Sequence, residues 1–330
     1  MSTFKAFRID QQDKQIQAGF TELTVDDLTP GEVIIRVHYS GINYKDALAA
    51  TGKGRILRSF PLNGGIDLAG VVESSSDDRY LPGDEVLVVG CGLSETLDGG
   101  YSEVARVPGC CVVPLPSNLS LQESMALGTA GFTAALAVMR MEQLGQTPDM
   151  GKIVVTGATG GVGSFAIDML AMRGYEVVAY TGKTEQYDYL RSLGASEFID
   201  RNSVEMGDKP LERATYGGAV DNVGGDVLSW LVRTTRPFGN VASIGLAGGF
   251  KFDLTVMPFI LRGVSLIGIN SIEMPESMRN EAWQRLGEDL KPAHLDAIAT
   301  NEIAFADLPE AFNDFVDGKI TGRTVVKIQS

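Results

Sequence analysis

The stretch Val154 to Gly163, VVTGATGGVG, places glycines at 157, 160 and 163 directly behind an apolar run. That spacing permits a tight turn, a close approach of backbone N–H groups to a pyrophosphate, and close packing of a following helix whose N-terminus faces the phosphate charge. The residues that would touch such a ligand are Thr159, Gly160, Gly161 and Val162. A second chemical feature follows about 20 residues on, where dinucleotide sites that bind a ribose 2'-hydroxyl keep an acid. Here the chain reads Tyr180-Thr181-Gly182-Lys183, with no carboxylate. Thr181 can donate a hydrogen bond, Lys183 brings a positive charge, and Arg201, after the EFID run, could close the other side. A 2'-phosphate suits those groups, so NADPH is the expected cofactor.

The elements that must position these groups can be read from periodicity. Lys152 to Thr156 is a buried strand, Ser164 to Arg173 is an apolar helix closed by Gly174, and YEVVAYTG is the next strand. Six candidate strands, 152–156, 176–181, 197–199, 218–222, 240–245 and 264–269, alternate with helices, which predicts a doubly wound parallel sheet. In such sheets ligands sit at the carboxyl ends of the strands. From Phe4 to about Pro116 the chain instead shows short β-type runs broken by Gly, Pro and Asp, including a strand through CCVVPLP. Ser120 and Glu123 make a capping box, and MALGTAGFTAALAVMRMEQLG then predicts two helices in succession. After about Ile298 β character returns, with a short helix at LPEAFNDFVDGK and a last strand at RTVVKI. The expected division is 1–120, completed by 298–330, and 121–297.

Composition narrows the partners. A net charge of -14 argues against nucleic acid or an anionic membrane, because phosphate backbones need a basic face. No uninterrupted apolar stretch approaches the ~18 residues of a membrane span. The opening MSTFKAFRID lacks the apolar core of a signal peptide, and three cysteines are too few for a disulfide framework, so a reducing cytoplasm is expected. Cys110 and Cys111, beside Pro108 and Gly109, are expected in a buried strand, and adjacent cysteines seldom bridge.

The glycine loop also fits the TGxxxGxG pattern of short-chain dehydrogenases, but none of the nine tyrosines has the lysine four residues on that those enzymes use for proton transfer. The segments SGINYKDALAATGKGRILRSFPLNGGIDLAGVV, LGTAGFTAALAVMRME, VTGATGGVGSFAIDMLAMRGYEVVAYTGK, LGASEFIDR and GKITGRTVVKI resemble another family through nearly the whole chain. They are similar to medium-chain dehydrogenase/reductases of the zinc-free quinone oxidoreductase branch, the YhdH-type or acrylyl-CoA reductases. The resemblance implies an α/β protein with a GroES-like β-rich catalytic domain and a Rossmann domain carrying a six-stranded parallel sheet. It also explains why the glycine loop begins so late, because a catalytic domain precedes it.

Within that superfamily the zinc enzymes show Gly-His-Glu where this chain has Gly65-Ile66-Asp67, and only two histidines, His38 and His294, are present. No metal is expected. His38 is read as a structural residue in an alternating strand and His294 as exposed. The resemblance places Thr129, Ile244-Gly245-Leu246 and Ile269-Asn270-Ser271 near the nicotinamide, with Asn222 and Val223 on the adenine side.

The implied reaction adds a hydride to the β-carbon of acryloyl-CoA and a proton to the α-carbon, giving propionyl-CoA; a quinone or broad enone reductase is the alternative. Asn43-Tyr44-Lys45-Asp46 occupies the place of the zinc enzymes' first metal ligand. Tyr44 and Asp46 are therefore the expected polar catalytic pair, with Asn43 orienting cofactor or substrate, although Asp46 could instead cap the helix that starts at DALAA. Related mitochondrial-type enoyl thioester reductases carry a tyrosine donor where this chain reads Thr51-Gly52-Lys53-Gly54-Arg55. Lys53, Arg55 and Arg58 give a basic rim suited to coenzyme A phosphates, and Arg323 is a further candidate if the last strand returns near the cleft. A non-catalytic, RNA-binding role is disfavoured by the acidity. The apolar strand VSLIGIN would be an exposed edge, so a homodimer joined edge to edge is expected.

Overall fold

Alternating apolar residues make Val33–Ile42 a ten-residue strand, and its inward side chains Val33, Ile35 and Val37 are fully buried. In this computed structural model, which describes residues 2–329, that strand is the hub of a seven-stranded sheet. The order is Asn301–Ala304, Thr324–Lys327, Val33–Ile42, Asp67–Ser75, Glu85–Val89, Val113–Pro114, with Val104–Val107 also paired to Val33–Ile42. A smaller antiparallel sheet joins Gln15–Leu23, Phe4–Gln12 and Leu62–Asn63. Phe7, Ile9, Leu68, Val88, Tyr101 and Phe312 fill the core beneath.

These elements belong to the first of two compact units, made of Met1–Thr129, Ser271–Glu288 and Leu295–Ser330. It takes in more chain than the division at 120 anticipated. The helix Glu276–Gly287 joins it because Trp283 and Leu286 are buried and Arg279 donates to the Cys110 carbonyl at 2.8 Å. Residues up to Thr129 join it through the Asp67 carboxylate.

Ser120 and Glu123 form the expected reciprocal cap, and the helical span Leu121–Gln143 breaks at Gly128, whose φ of 47° and ψ of -154° lie outside the helical region. Two helices in succession were expected from the sequence. By length and composition the 23-residue span could cross a membrane, a possibility the residue pattern had not suggested, but 89% of its most apolar window is buried. The CCVVPLP run is not one strand. Pro108 and Gly109 turn the chain into the 3-10 segment Gly109–Cys111, and only Val113–Pro114 is extended. Cys111 is bonded to Cys91, their Cα atoms 5.7 Å apart, and Cys110 is an exposed thiol.

The second unit, Ala130–Asn270 with Asp289–His294, holds six parallel strands. Their order is Ala195–Asp200, Val177–Thr181, Ile153–Thr156, Tyr216–Asp221, Thr235–Ser243, Ser265–Gly268. That is the doubly wound arrangement predicted from the alternation, built on the six anticipated strands. The fifth begins earlier than expected, at Thr235, because a shift in register between Tyr216 and Gly218 lets the chain pair before Asn240.

Candidate functional site

In the second unit the strand Ile153–Thr156 ends at the glycine loop, and the helix Gly161–Met172 starts from it with Gly160 as N-cap. Gly157 has φ of 58°, a left-handed value that strains any residue with a Cβ. A Cβ on Gly163 would lie 2.3 Å from the Gly157 carbonyl oxygen, so this position must be glycine for the helix to approach the loop. At Gly160, by contrast, the nearest atom is 3.4 Å away, and the open side is where a ligand's oxygens would lie against the first turn of the helix.

The carboxyl ends of neighbouring strands surround this loop. Asp221 is buried and accepts from Thr156 Oγ1 at 2.6 Å and from the Gly224 amide at 2.8 Å; burial raises its pKa above the ordinary carboxylate range. Asn222 Nδ2 donates to the Thr156 carbonyl at 2.7 Å, while its buried Oδ1 has no hydrogen-bond partner. Ile244 and Gly245 are held by the Asp221 carbonyl, and Ile269 by the Ser243 carbonyl. Val223, Leu246 and Asn270 stand at the same ends, Leu246 exposed. Thr181 ends its strand buried, Lys183 N donates to its Oγ1 at 3.1 Å, and Arg201 N donates to its carbonyl at 3.1 Å. The Arg201 side chain lies over Gly182, its Nε 2.4 Å from where a Cβ there would be. Asp200 Oδ1 accepts from Asn202 N at 2.9 Å.

In the first unit, polar groups converge around Asn43. Its Nδ2 donates to Asp67 Oδ2 at 2.8 Å and to Asp46 Oδ2 at 3.1 Å, and its Oδ1 accepts from Arg323 Nη1 at 2.7 Å. Asp46, 2% exposed, caps the helix Tyr44–Thr51 by accepting from Asn43 N, and also accepts from Ile66 N at 2.9 Å. Burial, then the neighbouring Asp67 charge, push its pKa up to about 7 against those hydrogen bonds. The buried Tyr101 hydroxyl, 3.1 Å from the Gly41 carbonyl, is pushed well above its ordinary value, first by desolvation and then by the Asp46 and Asp67 charges.

Asp67 was noted in the sequence only for what it replaces, yet it organises the cluster. It receives Thr129 N at 3.0 Å, Thr129 Oγ1, Asn43 Nδ2 and Arg323 Nη2. Arg323, anticipated at a cleft rim, is 3% exposed, and its guanidinium also donates to the carbonyls of Ile42, Ala126 and Met125. Gly41 and Gly128 make room for it, since a Cβ on either would meet Arg323 Nη2 at 2.6 and 2.4 Å. Tyr44 begins the helix with its side chain 54% exposed. Lys53 and Arg55 are exposed after that helix, Arg58 is exposed beside Glu95, and Ser271 is half-buried.

Residues 29–149 match the family described as the alcohol dehydrogenase GroES-like domain, and residues 161–288 the zinc-binding dehydrogenase family. With its β-rich unit and its six-stranded nucleotide-binding sheet, the chain belongs to the medium-chain dehydrogenase/reductase superfamily, among the YhdH-type and acrylyl-CoA reductase proteins. It is 44% identical over 322 residues to the acrylyl-CoA reductase AcuI of Ruegeria pomeroyi, covering 97% of each chain. It is 48% identical over 330 residues to YhfP of Bacillus subtilis, provisionally named a quinone oxidoreductase, covering 99% of this chain and 100% of that one. The YhdH oxidoreductase of Salmonella enterica, solved in complex with NADP, matches with a TM-score of 0.95 at 45% identity over 98% of this chain and 100% of that one. Bacillus subtilis YhfP, solved with NAD bound, matches at 0.96 and 47% over 99% of this chain and 100% of that one.

The zinc in the second family's name does not fit these residues. Among the described residues no three His, Cys, Asp or Glu side chains are grouped to hold a metal ion, and the Asp67 oxygens are taken by Thr129, Asn43 and Arg323.

Proposed function

We propose that the protein is an NADPH-dependent reductase that converts acryloyl-CoA to propionyl-CoA without a metal. The observation that carries the cofactor is the Thr181–Lys183 turn, which has no acid among residues 180–183, with the Arg201 side chain laid over Gly182. The substrate class rests on full-length similarity to a named acrylyl-CoA reductase, together with exposed cations in an acidic chain. Thr159 to Val162 and the helix N-terminus hold the pyrophosphate, with Asn222, Val223, Ile244 to Leu246, Ile269 and Asn270 of the same unit completing the nucleotide site.

When bound, the reduced nicotinamide supplies a hydride to the β-carbon of the activated alkene. The chain must stabilise charge on the thioester oxygen and deliver a proton to the α-carbon. Tyr44 is the proposed donor because it is the exposed hydroxyl of the segment. Asn43 and Asp46 fix the helix N-terminus that carries it, and act as positioning residues. Lys53, Arg55 and Arg58 receive the coenzyme A phosphates. The edge strand Ser265–Gly268, beside exposed Phe238, Val256, Ile260 and Leu261, pairs with its counterpart in a homodimer.

NADPH oxidation is to be followed with acryloyl-CoA, crotonyl-CoA and 1,4-naphthoquinone, in the natural protein and in a Lys53→Ala/Arg55→Ala variant. The expected result is turnover of acryloyl-CoA with KM raised about tenfold in the variant and kcat little changed, equivalent to ~1.4 kcal/mol of binding. Turnover of naphthoquinone alone, indifferent to the variant, overturns the reading in favour of the quinone reductase that the YhfP name suggests.

A further inference from the structure

The Cys91–Cys111 bond joins two segments of the first unit that are held very differently. On one side, the turn Gly109–Cys111 is fixed without it. Tyr80 Oη donates to the Gly109 and Val112 carbonyls, Gly109 N donates to Glu32 Oε2, and Arg279 Nη1 donates to the Cys110 carbonyl. On the other side, residues 90–97 form a loop whose hydrogen bonds are mostly its own, among Gly90, Gly92, Ser94 and Leu97. Four of its residues, Gly90, Cys91, Gly92 and Ser94, have φ between 53° and 90°, a region a cysteine or serine rarely adopts. Leu93, fully buried in the core, anchors the loop's middle, so breaking the bond loosens the loop around that anchor and leaves the turn.

The loop carries Glu95, which ties down two cations. Its buried carboxylate pairs with Lys45 Nζ and stands 3.7 Å from Arg58 Nη2, and its carbonyl accepts from Arg58 N at 2.8 Å. Lys45 lies between Tyr44 and Asp46 on the helix proposed to carry the proton donor. Arg58 belongs to the proposed coenzyme A rim.

We infer that Cys91 and Cys111 form a redox-sensitive clamp. Oxidised, it holds Glu95 against Lys45 and Arg58; reduced, it loosens the 90–97 loop around the buried Leu93, and with it the substrate-side cations. Opening takes one dithiol: its first thiolate attacks one sulfur of the Cys91–Cys111 bond and the other cysteine leaves as thiolate. The reductant's second thiolate then attacks its own first sulfur in the mixed disulfide, expelling the remaining cysteine as thiolate and closing the reductant's own disulfide. Two electrons pass to the protein, and two protons follow. A bond of this kind in a reducing compartment serves as a sensor rather than a staple. The exposed Cys110 takes no part in the bond.

The effect on turnover rests on the acyl-CoA reading above, whereas the release of the loop does not, so two readouts keep the failures apart. In the oxidised sample, prepared without thiols or glutathione and then denatured, alkylation should modify one of the three cysteines, and after dithiothreitol all three. Hydrogen exchange in residues 90–97 should quicken about tenfold on reduction and in both Cys91→Ser and Cys111→Ser, while Cys110→Ser stays like the natural protein. The KM for acryloyl-CoA should rise on reduction with NADPH affinity unchanged. Three alkylated cysteines in the oxidised sample, or exchange in 90–97 that ignores reduction, overturns the clamp. Faster exchange with an unmoved KM overturns its coupling to Lys45 and Arg58.

Discussion

Arg323 Nη2 lies 3.4 Å from Asp67 Oδ2, although the two are 256 positions apart in the chain, and both side chains are shut away from water. A buried pair of this kind persists only because every remaining donor and acceptor is used, here by Asn43, Thr129 and three backbone carbonyls.

Removing one partner strands the other's charge. Arg323→Met is expected to cost about 3–5 kcal/mol of unfolding free energy in urea, and Asp67→Asn in the same background to return part of it. A loss below ~1 kcal/mol in the single variant contradicts a buried, fully engaged pair.

Asp46 sets a pH dependence of definite sign. Its native pKa, about 7, exceeds its unfolded value near 3.8, so the native state keeps a proton that the unfolded state gives up. Its contribution favours folding at low pH and is lost as pH rises from about 4 to about 7, above which it stays flat. Asp168 and Asp221, whose pKa values are also raised, add in the same direction. Denaturation of Asp46→Asn alongside the natural protein should show a flatter stability profile across that window. Parallel profiles contradict the assignment.

Cofactor choice is testable at the second strand. Lys183→Ala/Arg201→Ala should weaken NADPH binding about 10- to 100-fold and leave NADH within twofold, because only the former has a phosphate for those cations to meet. Fluorescence titration of both nucleotides decides it. Equal losses for the two would place these side chains away from the 2' position, in keeping with a relative solved with NAD.

What could be read from the sequence was what lies close together along the chain. The glycine loop, its helix and the Thr181–Lys183 turn are runs of neighbours whose spacing carries the geometry. Six strands were visible because each is a contiguous apolar run. The Asp67 cluster was not, since Asn43, Asp67 and Arg323 meet only through pairing of Val33–Ile42 with Asp67–Ser75 and Thr324–Lys327, and Thr129 joins them from the helical span Leu121–Gln143. Arg323 shows this most plainly: as a lone cation it suggested a solvent rim, and the pairing of Thr324 with Ile42 brought it instead into the buried cluster at Asp67. The cysteines failed for the same reason, because pairing 91 with 111 requires knowing how Glu85–Val89 lies against the chain that follows it.

The return of the C-terminal strand to the first unit has a consequence for how the protein is born. Synthesis proceeds from the N-terminus, and domains made early can fold while the rest is still being added. The second unit is drawn entirely from residues before 295 and can close on the ribosome. The first, although it starts far upstream, lacks the guanidinium that neutralises Asp67 and the partner edge for Val33–Ile42 until Arg323 and Thr324–Lys327 emerge. The unit that starts first is thus completed second, and a ribosome that stalls between His294 and Arg323 leaves a folded nucleotide-binding half attached to a sheet with an open edge.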